Sequence, residues 1–196
     1  MGFSSCLPMR KRWVLKPQQL PLLWMAIQLA VGIPALAHPS SSSANPPAAL
    51  EAATQRVTEI HGGAGPWAVV GYRMGMRALK ELGLASPLPP TSPSRFVVEV
   101  IHESPLQIPF ACIVDGLHAA TGASLGKLNL KLVEVDSLDK MRSVVIHRET
   151  GKRVEFQVLP GFIAKYRELP PERLMAAGQE VLQMADEALF RLTIRP

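Results

Sequence analysis

Cysteine is scarce in this chain of 196 residues, which contains only Cys6 and Cys112. Cys6 lies near the start of the chain, within residues 1–37, which are predicted to be removed from the mature protein. One remaining cysteine cannot form an intramolecular disulfide, so a disulfide scaffold is excluded. The core must therefore be held together by burial of apolar side chains or by a partner. About 150 residues are enough for one domain with such a core.

Acidic residues are absent before Glu51, whereas four basic residues lie within the first sixteen positions. An apolar run over residues 22–33 follows them, and small residues then lead up to Ala37 and His38. A basic segment, an apolar segment and small residues, in this order, are typical of a secretory signal peptide. Residues 1–37 are therefore predicted to be a signal peptide, and the protein to be periplasmic or extracellular.

A long hydrophobic run is also absent, because the apolar segment is shorter than the roughly 20 residues that span a bilayer. The alternative is that the segment is not cleaved and acts as a membrane anchor. Cleavage would leave no membrane segment. The first 37 residues hold four of the 21 basic residues and none of the 16 acidic ones. The rest of the chain is thus nearly neutral, and this balance gives no support to nucleic-acid binding.

Residues 38–47 are rich in serine and proline and are predicted to be a linker, with a single domain over residues 48–196. Hydrophobic periodicity and turn residues predict the following order. There are helices over 46–61 and 66–82, a strand over 96–101, a helix over 109–121, a strand over 128–135, a hairpin of 143–147 with 154–158, and a closing helix that buries Leu174, Val181, Leu182, Ala185 and Leu189. This order indicates an α+β fold with N-terminal helices, a mixed or antiparallel sheet and a C-terminal helix.

Common nucleotide-binding and hydrolase motifs are missing, since the chain has no phosphate loop, dinucleotide fingerprint or nucleophile elbow. The glycine-rich loop over residues 62–65 lies between two predicted helices and does not follow a strand. We interpret it as a flexible break between helices.

Two segments contain the residue types from which a site could be built. The first is His-Gly-Gly-Ala-Gly-Pro over residues 61–66, followed by Gly-Tyr-Arg over 71–73. The second is Cys-Ile-Val-Asp over 112–115, followed by Thr-Gly-Ala-Ser-Leu-Gly-Lys-Leu-Asn over 121–129. In order and local spacing they resemble the E-type formylmethanofuran dehydrogenase family, whose pattern is His-Gly-His-x-Cys-Pro-Gly, Gly-Tyr-Arg, Cys-x-x-Asp and Thr-Gly-Cys-Thr-x-Gly-Lys-x-Asn. The resemblance implies an α+β core in which both segments meet around a metal-binding or thiol cleft.

Three positions depart from this pattern, because Gly63, Gly65 and Ala123 replace a histidine and two cysteines. The polar residues retained at matching positions are His61, Cys112, Asp115, Thr121, Lys127 and Asn129. Only His61 and Cys112 are strong ligands for a metal such as zinc, and a closed zinc site needs four. Any divalent metal at this site is therefore expected to bind weakly through His61 and Cys112.

Cys112 and Asp115 are three residues apart on a predicted helix and so share one face. His61 or Lys127, if either lies close by, would favour the thiolate of Cys112, and His61 with Cys112 are the candidate catalytic pair. The alternative is that Cys112 is a small buried apolar residue. If the two segments form one site, its concave pocket is expected to be lined by His61, Cys112, Asp115 and Asn129.

The turn between Gly122 and Gly126 precedes Lys127 and Asn129 and can expose backbone N–H groups beside a cation. Together with Asp115 and Thr121, these two side chains are candidate ligand-binding residues. The alternative is that the turn only joins a helix to a strand.

Three functions are compatible with these observations. The first is an exported module that binds a small molecule or a weakly held metal. The second is an accessory module in a homo-oligomer or a larger complex. The third is a thiol-dependent enzyme that uses Cys112 with His61. Methanofuran chemistry itself is not expected, since it belongs to a cytoplasmic complex and a shared fold does not transfer activity when the site has changed.

The signal-peptide interpretation predicts that the mature protein begins at His38 or within a few residues of it. The measurement is the intact mass of the exported protein. Recovery of a full-length chain embedded in the membrane would instead support the uncleaved anchor.

Overall fold

The computed structural model describes residues 46–196, so the predicted signal peptide and nearly all of the linker lie outside the described residues. The helices are α1 (Pro46–His61), α2 (Pro66–Glu81), α3 (Ile113–Thr121), α4 (Pro160–Tyr166) and α5 (Leu174–Gln183). The strands are β1 (Val98–Ser104), β2 (Leu130–Glu134), β3 (Arg142–His147), β4 (Arg153–Val158) and β5 (Phe190–Arg195). No helix in this described range is long and apolar enough to cross a membrane.

The five strands form one mixed sheet in the order β2-β1-β3-β4-β5. β1 and β2 are parallel, and α3 lies in the connection between them, whereas the other neighbouring strands are antiparallel. Alternate residues of β1 are buried and pack with α2 and α3 in one core. The α+β prediction is confirmed, as are both N-terminal helices and the hairpin of β3 with β4.

The C-terminal region differs in detail from the prediction. A C-terminal helix is present, but α5 ends at Gln183, so Ala185 and Leu189 lie beyond it. A short 3₁₀ turn follows, and the chain ends in β5, which pairs with β4. Val181, Leu182 and Leu189 are buried as predicted, the last from outside the helix, whereas the prediction was wrong for Leu174 and Ala185, which are exposed. A short apolar run cannot be assigned to helix or strand by periodicity alone, and pairing with β4 decides its conformation.

Helices α2 and α3 approach each other more closely than side chains normally allow. A Cβ atom on Gly116 would lie 1.8 Å from the backbone oxygen of Ala68, and one on Gly71 would lie 2.1 Å from that of Ile113. Real atoms do not approach so closely, so only glycine fits at these two positions. This contact fixes the position of α3, and therefore of the residues at its N-terminal end, against α2.

His102 is a buried histidine that connects the sheet to the chain just before α3. Its Nδ1 lies 2.9 Å from the hydroxyl of Ser143, and its Nε2 lies 3.3 Å from the backbone oxygen of Phe110. Because a carbonyl only accepts, Nε2 donates to Phe110 and Nδ1 accepts from Ser143. Burial lowers the pKa of His102 to about 4, so the ring is neutral at physiological pH. The sequence offered no role for this residue, and its hydrogen bonds give it a structural one.

Candidate functional site

The N-terminal end of α3 presents two of the predicted site residues. A 3₁₀ turn over Phe110–Cys112 leads directly into the helix, which places Cys112 at its N-cap position. Asp115 lies in the first turn of the helix. The two side chains share a face because residues three apart on a helix are neighbours, as the sequence predicted.

His61 reaches these residues from the end of another helix. It is the last residue of α1, and Gly62 follows with a φ of +84°, a backbone conformation that turns the chain away toward α2. The Nδ1 of His61 lies 2.8 Å from Oδ2 of Asp115. Their side chains are 26% and 40% exposed, so the pair can be reached from solvent.

The Cys112 side chain interacts with the same imidazole ring, and this contact is the main cause that raises the pKa of His61 to about 9. The hydrogen bond to Asp115 and the charges of both neighbours act in the same direction, whereas partial burial opposes them. His61 is therefore protonated at neutral pH and lies between two groups that favour its positive charge. The two linked segments of sequence thus meet at His61, Cys112 and Asp115.

Cys112 lies at the boundary of the hydrophobic core. Its side chain is partly exposed, and its buried part packs against the core cluster. The thiol is therefore not fully enclosed, and it lies beside the charged ring of His61.

The other candidate residues lie at the opposite end of α3, about 13 Å away by the rise of a nine-residue helix. Thr121 donates to the backbone oxygen of Leu117 and accepts from the N–H of Ala123. Asn129 is fully buried, and its amide donates to the backbone oxygens of Arg95 and Val98. These bonds hold the turn that joins α3 to β2.

Lys127 belongs to the same turn, where its Nζ donates to the backbone oxygen of Gly122 and to the hydroxyl of Ser124. It is therefore not the cation that lies beside Cys112. The expectation that Asn129 lines one pocket with His61 and Cys112 is not met, because α3 separates the two ends. Binding of an anionic ligand by this turn stays a prediction.

A contact that sequence reasoning missed lies on the loop after His61. The Sδ of Met175, on the first turn of α5, is 3.8 Å from the position that a Cβ on Gly63 would occupy. Leu174 packs beside Gly65 in the same way, at 3.9 Å. No sequence signal connects α5 with this loop, because the two are more than a hundred residues apart and share no spacing.

Comparison with known protein families gives one match, which covers the domain that contains these residues. Residues 60–191 match FmdE, described as molybdenum formylmethanofuran dehydrogenase operon. The match spans about two thirds of the chain and includes His61, Cys112 and Asp115. The protein belongs to the FmdE family. The FmdE match confirms the resemblance drawn from the sequence and extends it beyond residue 135 as far as β5. No curated protein matches the chain.

The residues present do not fit a closed metal site of the kind that the FmdE resemblance implies. Within residues 46–196, no three His, Cys, Asp or Glu side chains are arranged to hold a metal ion. Nδ1 of His61 is bonded to Asp115, and Gly63 and Gly65 offer no donor side chain. Ala123 is completely buried at the far end of α3, away from Cys112. A tetrahedral site with four protein ligands therefore cannot form here.

The geometry predicts how His61 titrates. Its pKa should be about 9 in the native protein, so the ring is charged below that pH and neutral above it. Cys112→Ala should lower this pKa the most and Asp115→Asn should also lower it, because each removes a group that favours the charged ring. The measurement is an NMR pH titration of the His61 ring protons.

Lys127→Ala is the matched control, since Lys127 lies at the other end of α3 and should leave the pKa of His61 unchanged. A native His61 pKa near 6.5, or one that Cys112→Ala does not move, would contradict the described contacts.

Proposed function

We propose that this FmdE-family protein is an exported binding module that holds a small electrophilic or soft ligand through the thiolate of Cys112. One observation carries the proposal: the His61 ring bonds to Asp115 at 2.8 Å, and Cys112 lies close enough to raise the pKa of the same ring. A thiol beside a charged imidazole, itself oriented by a carboxylate, is an arrangement that activates sulfur as a nucleophile or ligand.

Each residue has a separate role in this proposal. Asp115 accepts the Nδ1–H hydrogen bond, which orients the imidazole ring and stabilises its positive charge. The charged ring stabilises negative charge on the sulfur when the thiol gives up its proton to solvent and bonds to the ligand. The proton on His61 stays in place during binding.

Backbone donors favour binding over acyl-transfer catalysis. An oxyanion needs free N–H groups aimed at it. At the start of α3, however, the N–H of Cys112 donates to Pro109 and that of Ala111 donates to Gln107. The next N–H, of Ile113, is also bonded within the turn. These three N–H groups are therefore committed to the fold and are not free to stabilise a tetrahedral intermediate at Cys112.

A thiol-dependent enzyme is the second candidate. Asp115, His61 and Cys112 supply the carboxylate, imidazole and thiol that nucleophilic catalysis uses. Turnover would then require a substrate whose own groups stabilise the negative charge that develops during the reaction. Catalytic consumption of an electrophile, with free Cys112 recovered afterwards, would favour this candidate over a binding module.

Export and partners are also part of the proposal. The basic, apolar and small-residue order of the first 37 residues supports a periplasmic or extracellular location. The near-neutral charge of the remainder supports a small-molecule or metal ligand over nucleic acid. An accessory role in a homo-oligomer or a larger complex is compatible with a site that lies open at the surface.

The test is the rate at which iodoacetamide alkylates Cys112 in the protein that begins at His38. Near pH 7 the native protein should react faster than His61→Ala, by roughly tenfold, because the charged ring raises the thiolate fraction. The ratio should shrink above about pH 9, where His61 loses its charge and the thiol no longer depends on it. The rate of the urea-unfolded chain serves as the reference.

Lys127→Ala is the control variant and should react at the native rate. An inert thiol in the folded protein would identify Cys112 as a buried apolar residue and overturn the proposal. Equal rates for the native protein and His61→Ala near pH 7 would do the same.

A further inference from the structure

A cleft lies on the face of the sheet opposite the helices that hold the thiol site. Its volume is about 430 Å³, and its walls include Glu103, Arg142, Glu155 and Arg191 from four different strands. Alternate residues of β1 pack with α2 and α3, and Glu103 belongs to the other set, so it lies on the opposite face. The cleft is therefore separate from the thiol site, and the thiol function does not use it.

Most of the charged side chains that line this cleft already have a partner of opposite charge. Three ion pairs, with nitrogen–oxygen distances of 2.7, 2.9 and 2.8 Å, are Arg142 with Glu103, Arg195 with Glu155, and Lys140 with Asp136. Arg191 and Asp139 also line the cleft, but neither side chain forms an ion pair or a hydrogen bond with a residue that the structure describes. One positive and one negative group are thus available to a ligand.

The same two residues line a neighbouring apolar cleft of about 340 Å³, and Asp139, Gln157 and Arg191 form the wall that both clefts share. The other residues that line this second cleft are apolar: Leu138, Val158, Leu159, Pro160 and Ile163. Gln157 is the register partner of Arg191, and its amide donates to the backbone oxygen of Asp139 at 3.3 Å. The two available charges and the apolar space therefore meet around Gln157.

This combination of groups defines a class of ligand. A guanidinium binds a carboxylate with two parallel hydrogen bonds, and a carboxylate binds an ammonium group. A simple anion would be repelled by Asp139 and a simple cation by Arg191, whereas a zwitterion matches both charges. An α-amino acid with an apolar side chain has a carboxylate, an ammonium group and an apolar group on one carbon atom. Both cleft volumes lie in the range of roughly 300–1,000 Å³ that is typical of small-molecule sites.

We propose that an apolar amino acid binds where the two clefts join. Its carboxylate bonds to Arg191, its ammonium group bonds to Asp139, and its side chain fills the apolar cleft. Gln157 sets the position of both charged groups, because it pairs with one across the sheet and bonds to the backbone of the other. The site goes beyond the thiol function and does not depend on it, since binding is non-covalent and involves neither Cys112 nor His61.

The experiment is an NMR titration of the protein that begins at His38 with L-leucine, followed through the backbone amides of Asp139, Gln157 and Arg191. Their signals should shift along a single-site binding curve. Three analogues separate the contributions: 4-methylpentanoate lacks the ammonium group, 3-methylbutylamine lacks the carboxylate, and glycine lacks the apolar side chain. Each should bind at least about tenfold more weakly than leucine, because a charged hydrogen bond or a buried leucine side chain contributes about that factor.

Arg191→Gln and Asp139→Asn should each weaken leucine binding by at least about tenfold, since each removes one of the two charges. Both residues are exposed, so the fold should be retained, which a thermal unfolding curve checks. Arg153→Gln is the matched control. Arg153 is an exposed arginine four residues before Gln157 on the same face of β4, and it lines neither cleft, so its replacement should leave the affinity unchanged.

Three results would overturn the inference. The first is the absence of saturable shifts at the three amides. The second is equal affinity for leucine and 4-methylpentanoate, which would show that no group recognises the ammonium. The third is native affinity in Arg191→Gln.

Discussion

The close contact between α2 and α3 is the constraint on which the site depends. At Gly116 and Gly71 the backbones of the two helices come so near that a single added carbon atom would overlap a carbonyl oxygen. The N-terminal end of α3 is therefore held rigidly, with Cys112 and Asp115 facing the end of α1. His61 is the last residue of α1, and the loop after it turns immediately and returns the chain to α2. Its side chain therefore meets Asp115 from the end of α1. Gly71 and Gly116 thus serve the packing of the two helices and not flexibility of the chain.

The two ends of α3 have different roles. Cys112 and Asp115 are partly exposed at the N-terminal end, and their polar groups contact a histidine from another helix. Thr121 and Asn129, at the C-terminal end, bond to backbone groups and leave few free donors or acceptors. The family pattern therefore includes reactive side chains at the N-terminal end of α3 and side chains that hold the fold at its C-terminal end. The structural segment holds the crossover from α3 to β2, which keeps the parallel pair β1–β2 in register.

Local patterns gave most of the fold, and the linked segments gave the central pair of the site. Some signals act over only a few residues and were sufficient to predict an element. Examples are proline and glycine at the ends of α2 and the β-branched residues on either side of the turn in the β3–β4 hairpin. The pairing of β5 with β4 and the position of Met175 depend on contacts between distant parts of the chain, which no local spacing encodes. The placement of Asn129 away from His61 was not predicted, because a shared pattern shows which residues belong together but not at which end of a helix each lies.

The most direct test of the central claim is the effect of Gly116→Ala on the fold and on the His61–Asp115 pair. The added methyl group would overlap the oxygen of Ala68, so urea unfolding should show a loss of about 3 kcal/mol of stability. In the variant that remains folded, the His61 ring signals should shift, because α3 moves away from α1. Gly161→Ala, whose Cβ would meet nothing within 4 Å, should cause no loss of stability and leave the His61 signals unchanged. Native stability together with unchanged His61 signals in Gly116→Ala would contradict the account.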